Sequence, residues 1–490
     1  MNGMVWLLAW RSLWDRPRRT LVLLVGYGIG VAVMIALLSV GDALLAQARD
    51  RDLVAGGDLV LLPEGVDPSV LKVNGVTDLY FTIQQAGFVV REILLGGRFA
   101  AEIAAAAPQI DARQVYVRRQ GTVFPAQASG GVPSLDQTAH AAAAVPRARD
   151  TASDRAWIAP SPGELIDRLD RFHTPPREAR HTWAEWDYFN FIDPRTGMYG
   201  YLTILAGGEG HGGILVRIKR PGRPVEDIQI RAAIRPGDLS MESANERIGP
   251  ARVSNEAGRY HITVDDPRLR ADLRLVPDAG FYLPAGEIAG DAVISGYVVP
   301  AVRGRMSGTL HTARGDVRLE GAPAYHDHNW GTWRGVTWEW GEASGRGGAV
   351  LYGGLHVGAG QGATDARRAI VFVWDTATAD GAAHRGGFVG AFPVHAITYA
   401  GWHPGPLLDG RRVRIPSSVA IDAASGSDRV SIRIRVSDGL ASVAGQAAPG
   451  NPSTRVAFLQ LRGNAEIRGI VDGRRLVLDA AAAAETFVRP

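Results

Sequence analysis

Residues 324 to 333 read A-Y-H-D-H-N-W-G-T-W, and the sequence W-E-W-G follows at positions 338 to 341. The first stretch combines imidazole, carboxyl, amide, phenol and indole side chains, and its only aliphatic residue is an alanine. It is too polar for an ordinary core strand and too aromatic for an ordinary loop. A stretch of this kind indicates either chemistry or a specific network of buried polar groups.

The chain around this motif alternates apolar and polar residues in short segments that end at Gly, Asn, Asp or Pro. Two examples are Y-H-I-T-V-D-D at 260 to 266 and R-V-S-I-R-I-R-V-S at 429 to 437. A period of two predicts β-strands, and many short strands predict barrels or sandwiches. We therefore predict a mainly β fold.

A Trp-acid-Trp pattern occurs twice in this β-rich part of the chain. W-A-E-W-D-Y-F-N-F at 183 to 191 and T-W-E-W-G at 337 to 341 are each followed by a glycine-containing turn and a second strand. A separation of about 150 residues corresponds to one small domain per copy. The repeat predicts two β-barrels in tandem, and a chance similarity between two tryptophan-rich hairpins is the alternative.

The N-terminal segment has the composition of a membrane anchor. Residues 21 to 40, L-V-L-L-V-G-Y-G-I-G-V-A-V-M-I-A-L-L-S-V, match the roughly twenty apolar residues that a helix needs to cross a bilayer. The arginines between residues 11 and 19 predict a cytoplasmic N-terminus, with the rest of the chain outside. A cleaved signal peptide is the alternative, but no A-x-A site closes the run. We predict a single-pass protein of a bacterial inner membrane with periplasmic C-terminal domains.

The same segment resembles the first helix of FtsX/MacB-type ABC-transporter permeases, through R-P-R-R-T at 16 to 20 and G-x-x-x-G-x-A at 26 to 32. Residues 53 to 120 are similar to the opening of the extracytoplasmic core domain of that family. Such permeases need further spanning helices, and no second apolar run of comparable length occurs in this sequence. The resemblance therefore implies an anchor with a small α+β permease-like segment and ABC-transporter subunits as partners.

The amino-acid composition excludes several classes of partner and of chemical site. The chain carries 53 Lys and Arg against 50 Asp and Glu, and we find no nucleic-acid-binding signature among them. The absence of cysteine excludes disulfides, zinc–thiolate sites and cysteine nucleophiles.

The motif at 324 to 333 admits three chemical interpretations if it forms a strand. Alternation places Tyr325, Asp327 and Asn329 on one face, and His326, His328 and Trp330 on the other. The two histidines could bind a metal with Glu339 or His356 as a third ligand. A carboxyl of Asp327 kept among aromatic rings would have a raised pKa and could act as a general acid. Finally, the polar groups could simply satisfy one another in a structural network.

Acid catalysis among aromatic rings suits the addition of water to an isolated alkene. Protonation of the alkene gives a carbocation, which the faces of Trp and Tyr stabilise without a metal or an organic cofactor. Each such ring is otherwise an ordinary core residue. The candidate rings are Trp330, Trp333, Trp338, Trp340 and Tyr352.

Y-H-D-H-N-W-G followed by W-x-W-G is similar to the signature of carotenoid 1,2-hydratases (hydroxyneurosporene synthases) and the broader AttH-type lipocalin-like family. The resemblance covers about residues 178 to 486 and implies two tandem lipocalin-like barrels. It implies Tyr325 and Asp327 as the proton-handling pair, with His326, His328, Asn329 and Trp330 completing the site. The segment at 295 to 304 lacks the His-x-Trp element of the hydratases, so the resemblance implies the fold and pocket more than the reaction.

The expected domains are an interfacial helix plus transmembrane anchor (1–48), a permease-like extracytoplasmic segment (49–145), a linker (146–177) and two lipocalin-like barrels (178–322 and 323–486). We predict that the protein binds a long apolar molecule, a terpenoid, carotenoid or lipid, and hydrates an isoprenoid double bond. The alternative is a non-catalytic lipid-binding accessory of an ABC-type exporter. The predicted catalytic residues are Asp327, Tyr325, His326 and His328, and the predicted substrate-binding residues are Asn329, Trp330, Trp333, Trp338, Trp340 and Tyr352. The expected partners are the membrane and an apolar small molecule. No metal, cofactor or nucleic acid is expected.

Overall fold

A computed structural model describes a few isolated positions before residue 103 and then most of the chain. The described ranges are 103–119, 122–139, 148–158, 170–289, 294–333, 336–357, 369–375, 387–408, 410–443, 457–471 and 473–488. The chain divides into two units, Met1–Phe81 with Ala105–Arg149, and Thr82–Ala104 with Asp150–Pro490.

The predicted interfacial helix and membrane-spanning run at residues 1–48 lie outside the described residues, apart from scattered positions. Among the positions that the structure describes, no helix has the length and apolar character needed to cross a bilayer.

In the first unit, β1 (Gln109–Arg119) and β2 (Thr122–Gly131) form an antiparallel hairpin with an irregularity between Ile110 and Arg113. The short helix α1 (Pro133–Thr138) follows it. Pro133 opens the helix, where its missing N–H would have no intrahelical acceptor.

The longer segment of the second unit, from Asp150 onward, contains α2 (Ala152–Ile158) and then an eleven-stranded antiparallel sheet, called here the first sheet. Its strands are β3 (Ala184–Asp193), β4 (Met198–Gly207), β5 (His211–Lys219), β6 (Glu226–Ala233), β7 (Asn245–Ile248), β8 (Ala251–Asn255), β9 (Tyr260–Asp266), β10 (Leu269–Pro277), β11 (Leu283–Ala289), β12 (Ile294–Thr312) and β13 (Gly315–Thr332). The strand order is β6-β5-β4-β3-β13-β12-β10-β9-β8-β7, and β11 pairs with β12. Two 3-10 turns, Arg177–Ala179 and Gly208–Gly210, flank the first two strands.

The first sheet curls until its two edge strands share one core. Ile230 of β6 and Ile248 of β7 belong to the same buried cluster, although they lie at opposite ends of the strand order. Phe172 also enters this cluster, and its backbone N–H donates to the carbonyl of Ser240 at 3.0 Å. The sheet is therefore nearly closed, and the segment around Phe172 packs into its interior.

The rest of the second unit is a closed eight-stranded barrel, called here the second barrel. The remaining strands are β14 (Val336–Gly345), β15 (Gly348–Val357), β16 (Ala369–Asp375), β17 (Gly387–Ala400), β18 (His403–Leu408), β19 (Arg411–Ile415), β20 (Ser418–Ser425), β21 (Asp428–Val443), β22 (Ala457–Val471) and β23 (Arg474–Val488). Pairing of β14 with β23 closes the barrel, and β18 with β19 forms a separate hairpin.

Both cores are formed by the alternation of apolar and polar residues that the sequence shows. In β10, L-R-A-D-L-R-L buries every apolar residue and exposes every charged one. The two Trp-acid-Trp segments form the first hairpin of each sheet, β3–β4 and β14–β15. The prediction of a mainly β chain with two barrel-like sheets is confirmed.

The histidine-containing motif lies in β13, which pairs with β12 on one side and β3 on the other. It therefore belongs to the first sheet, and the predicted boundary between residues 322 and 323 falls inside this strand. W-E-W-G begins the second barrel in β14. Only a short connection separates the two strands.

Two glycines make room for aromatic rings across these strand pairs. Gly296 lies opposite Trp330, and a Cβ at position 296 would stand 1.8 Å from Cε2 of the indole. Gly341 lies opposite Tyr352, and a Cβ there would stand 2.4 Å from Cε1 of the phenol. In each pair the ring occupies the space that a Cβ of the opposite residue would fill.

Gly296→Ala should destabilise the protein by about 2 kcal/mol, because the buried indole of Trp330 must be displaced. Gly353→Ala is the matched control, since the nearest atom to its added Cβ would be 3.8 Å away. Chemical denaturation of both variants measures the difference. Equal unfolding midpoints would refute the tight packing at position 296.

Candidate active site

The side chains of β13 alternate between two buried environments, as the sequence predicts. The ring of Tyr325 meets Trp340 of the second barrel, with centroids 5.3 Å apart. The ring of His326 stacks instead on Phe189 inside the first sheet, at 4.0 Å. One face of the strand therefore looks toward the second barrel and the other into the core of the first sheet.

Asp327 lies on the barrel-facing side and is only 3% exposed. Its Oδ2 accepts hydrogen bonds from the hydroxyls of Tyr325 at 2.8 Å and Tyr297 at 3.2 Å. Its Oδ1 accepts from Nδ2 of Asn329 at 2.9 Å. The hydroxyl oxygens of the two tyrosines are 2.6 Å apart, and Nε1 of Trp340 donates to Tyr297 at 2.9 Å. Among the residues that the structure describes, the hydrogen-bond donors to this carboxyl are all neutral.

Burial raises the pKa of Asp327 to about 7, against the lowering effects of Tyr325, His326 and Tyr297. Burial, together with the neighbouring charge of Asp327, also raises the pKa of both tyrosines well above the ordinary value. Near neutral pH the carboxyl can therefore hold or release a proton, while the phenols remain neutral donors.

A cluster of rings surrounds this carboxyl. Tyr188 stands edge-on to Trp340, with centroids 5.8 Å apart, and lies 6.0 Å from Tyr201. Within the described part of the chain, the buried hydroxyl of Tyr188 has no hydrogen-bond partner. The ring faces offer attraction for a cation, and this hydroxyl offers one free polar group.

Tyr188 and Tyr297 were not among the residues predicted from the sequence. They reach the site through strand pairing, since Tyr188 lies opposite Asp327 and Tyr297 lies opposite Asn329. Their only local signal is an aromatic residue on a strand, which is common in any core.

Of the predicted substrate-binding residues, the structure brings Asn329 and Trp340 to Asp327, and Trp338 packs against the same cluster of rings as Trp340, whereas Trp330 and Tyr352 lie in other cores. Trp330 stacks on His173 at 3.9 Å, on the opposite face of β13. Trp333 packs on Trp186 at 4.6 Å, and Trp338 packs on Phe487 at 4.6 Å. Tyr352 lies in the core of the second barrel. Strand alternation separates residues that are close in sequence.

The predicted catalytic residues His326 and His328 point away from Asp327 and contact carboxylates. Asp170 bridges them, with Oδ2 at 3.1 Å from Nε2 of His326 and Oδ1 at 2.8 Å from Nδ1 of His328. Tyr260 donates to Asp170 Oδ2 at 2.6 Å. Burial alone would raise the pKa of Asp170, but the two histidines hold it below its ordinary value. Burial likewise opposes the charged histidines, yet Asp170 and Asp187 raise the pKa of both.

Two sets of residues on this inner face have the donor types that could hold a metal ion. They are His173, Glu185 and His328, and Asp170, Asp187 and His328. Neither set includes Glu339, which lies in the second barrel, and the side chain of His356 lies outside the described residues. Within each set imidazole and carboxylate also form ion pairs, as between His173 and Glu185 at 2.8 Å.

A second buried carboxyl lies in the second barrel. Glu339 accepts hydrogen bonds from the hydroxyls of Tyr399 and Thr486, and burial raises its pKa to about 7. Glu339 and Trp340 are adjacent on β14 and so point to opposite sides of the barrel wall. This carboxyl is therefore separated from the site of Asp327.

No family profile matches the sequence, and no curated protein matches it. The permease resemblance of residues 1 to 145 thus has no support beyond its motifs. A structure of CghA with Sch210972 is 10% identical, with a TM-score of 0.44, and the match covers 66% of this chain and 97% of that one. A putative AttH from Nitrosomonas europaea is 13% identical, with a TM-score of 0.43, and the match covers 65% and 95%. Kievitone hydratase from Nectria haematococca is 9% identical, with a TM-score of 0.39, and the match covers 66% and 98%. At these values the strand pairing of this chain, and not the likeness, establishes its fold.

Glu339→Gln should change how stability depends on pH. The ordinary pKa is 4.5 and the folded value is about 7, so the folded protein keeps this proton where the unfolded chain releases it. The wild type therefore loses about 3 kcal/mol from this group as the pH rises from below 4.5 through 7. The variant cannot ionise, so its melting temperature should exceed that of the wild type at pH 8 but not at pH 4.

Glu466→Gln, on the exposed side of β22, is the control and should melt like the wild type at both pH values. A constant difference between Glu339→Gln and the wild type across the pH range would contradict the raised pKa of Glu339.

Proposed function

We propose that this protein is a hydratase or lyase of two tandem lipocalin-like barrels that acts on a carbon–carbon double bond of a long apolar terpenoid, carotenoid or lipid. The observation that carries the proposal is the state of Asp327. Its carboxyl is buried among aromatic rings, has a pKa of about 7 and, within the described residues, accepts its hydrogen bonds from neutral groups. These are the properties of a general acid working near neutral pH.

In the proposed reaction, protonated Asp327 gives its proton to one alkene carbon, which forms a C–H bond and leaves a cation on the other carbon. The faces of Tyr188 and Trp340 stabilise this cation. Water then forms the C–O bond and loses a proton, which returns to the carboxylate. The reverse sequence eliminates water. Tyr325 and Tyr297 hold the carboxyl in place and keep it hydrogen-bonded in both protonation states.

In this proposal, His326 and His328 position the acid and do not touch the substrate. Their ion pairs with Asp170 fix the inner face of β13, and so fix the direction of Asp327 on the other face. The predicted catalytic role of the histidines thus becomes a positioning role.

Asp327→Asn should lower turnover by about 100-fold or more, because an amide cannot donate the proton to carbon. Glu339→Gln is the matched control, since it removes another buried carboxyl with a pKa of about 7 and should leave turnover unchanged. In the wild type, kcat/KM should be constant below pH 7 and fall above it, as the acid ionises. The assay measures hydration of a panel of isoprenoids by mass spectrometry. Wild-type rates in Asp327→Asn would refute the assignment.

The alternative function is a non-catalytic lipid-binding accessory of an ABC-type exporter. One observation favours it: Asp327 already accepts three hydrogen bonds, an arrangement that also suits a structural role. In that case an apolar molecule should co-purify with the wild type, and no isoprenoid in the panel should be converted.

We also propose that the apolar run at 21 to 40 anchors the protein in a bacterial inner membrane, with its C-terminal part in the periplasm. The flanking arginines support this orientation. Alkaline phosphatase fused after Pro490 should be active in cells, and a fluorescent reporter that matures only in the cytoplasm should stay dark. The opposite pair of results would overturn the orientation.

A further inference from the structure

The two histidines of β13 each direct one ring nitrogen toward the same pair of carboxylates. Nε2 of His326 lies 3.1 Å from Oδ2 of Asp170 and 4.0 Å from Oδ1 of Asp187. Nδ1 of His328 lies 2.8 Å from Oδ1 of Asp170 and 3.6 Å from Oδ1 of Asp187. Ligand atoms that share one tetrahedral zinc ion stand about 3.3 Å apart. These four side chains, called here the inner cluster, therefore have nearly the spacing of a metal site.

The second nitrogen of each imidazole faces a different acceptor. Nδ1 of His326 lies 3.0 Å from the backbone carbonyl oxygen of Tyr188, and Nε2 of His328 lies 3.0 Å from Oε1 of Glu185. A histidine that binds a metal usually donates its remaining N–H to a carbonyl or a carboxylate, which fixes the tautomer and the orientation of the ring. In the neutral tautomers that these contacts favour, the nitrogens facing the inner cluster carry the lone pairs.

One oxygen of the inner cluster has no hydrogen-bond donor. Within the described residues, Oδ1 of Asp187 has no hydrogen-bond partner, although the residue is only 4% exposed. Both oxygens of the neighbouring Glu246, which is equally buried, lack a partner as well. A buried carboxylate oxygen without a donor costs free energy. Because Oδ1 of Asp187 faces the ring nitrogens of both histidines, this unmatched atom is directed into the inner cluster.

A cation and a shared proton are the two occupants that would satisfy such an oxygen. A proton shared between Asp187 and Glu246 would serve that one contact, whereas a cation inside the inner cluster attracts both of its carboxylates and both lone pairs. A donor set of imidazole nitrogens and carboxylate oxygens suits zinc, manganese or iron better than magnesium or calcium. A divalent ion would also replace the protons that the two imidazoles otherwise share with the carboxylates, so the buried charge would not increase.

We propose that the inner cluster binds a divalent first-row transition-metal ion through its two imidazoles and its two carboxylates. These ligands differ from Glu339 and His356, which the sequence offered as partners for the histidines. Both imidazoles are fully buried, and Asp327 lies on the opposite face of β13. A site without a ligand position open to solvent is structural. The ion joins β3, β13 and the segment of Asp170, and it takes no part in the proposed reaction.

The metal content of the full-length protein tests this site. The protein is produced in medium with added zinc and is purified in detergent without a histidine tag. Elemental mass spectrometry, which also counts manganese, iron, cobalt and nickel, should find about one transition-metal ion per wild-type chain. Asp187→Asn should lower this content at least about fivefold, because the similar amide shape keeps the packing but removes a charged ligand.

His261→Gln is the matched control and should keep the metal. His261 also lies between two carboxylates, with Nδ1 at 3.1 Å from Glu256 and Nε2 at 2.9 Å from Asp272, but this group is at the surface. The melting temperature gives a second measurement. Wild-type protein from zinc-supplemented medium should melt several degrees above that from zinc-depleted medium, and Asp187→Asn should show no such difference.

A wild type that carries no transition metal overturns the proposal, and so does an unchanged metal content in Asp187→Asn. An equal loss of metal from His261→Gln would assign the ion to the surface and would overturn it as well. If Asp187→Asn does not fold, X-ray absorption at the metal edge of the wild type decides. The spectrum should show two imidazole ligands together with carboxylate oxygens, and a spectrum without two imidazoles rejects the inner cluster as the site.

Discussion

The carboxylate of Asp170, which bridges His326 and His328, is the interaction on which the site depends. It comes from a segment outside the sheet and forms ion pairs with two imidazoles that strand alternation directs into the core. His328 also lies 3.0 Å from Glu185 and 3.6 Å from Asp187, whereas Asp187 lies 4.0 Å from His326. Loss of Asp170 would therefore leave the buried ring of His326 poorly paired, which is costly. Once the inner face of β13 is held in this way, the direction of Asp327 on the outer face is fixed.

Asp170 and Asp327 show how strongly the hydrogen-bond donor decides the state of a buried carboxyl. Both are buried and both lie near His326, yet the pKa of Asp170 is lowered and that of Asp327 is raised to about 7. Asp170 accepts hydrogen bonds from charged imidazoles, and these bonds compensate for the loss of water around its negative charge. In the described part of the chain, the donors to Asp327 are phenols and an amide, which do not compensate for that loss. On one side of β13 the histidines contact a carboxylate, Asp170, that stays ionised. On the other side Asp327 can hold or release a proton near neutral pH.

The sequence predicted what depends on local pattern, and it missed what depends on register between distant strands. Alternation gave the two barrel-like sheets, the opposite faces of Asp327 and His326, and the burial of the acid among rings. Nothing near the motif indicates that Asp170 would enter the sheet more than 150 residues away in sequence, or that Tyr188 would pair opposite Asp327. The candidate rings at Trp330 and Tyr352 were placed by proximity in sequence, whereas the alternation of β13 and β15 directs them into other cores.

Both sheets are needed to keep Asp327 dry. The first sheet supplies the acid and its phenols, and the second barrel supplies the indole of Trp340, which hydrogen-bonds Tyr297 and packs on Tyr325. The short connection between β13 and β14 brings the two motifs together, because Trp340 lies in the first hairpin of the barrel. On β14 the same alternation directs Trp340 outward toward Asp327 and Glu339 inward. The closeness of the two motifs in the chain therefore has a physical reason: the first places an acid at the edge of one sheet, and the second covers that acid with the wall of the next.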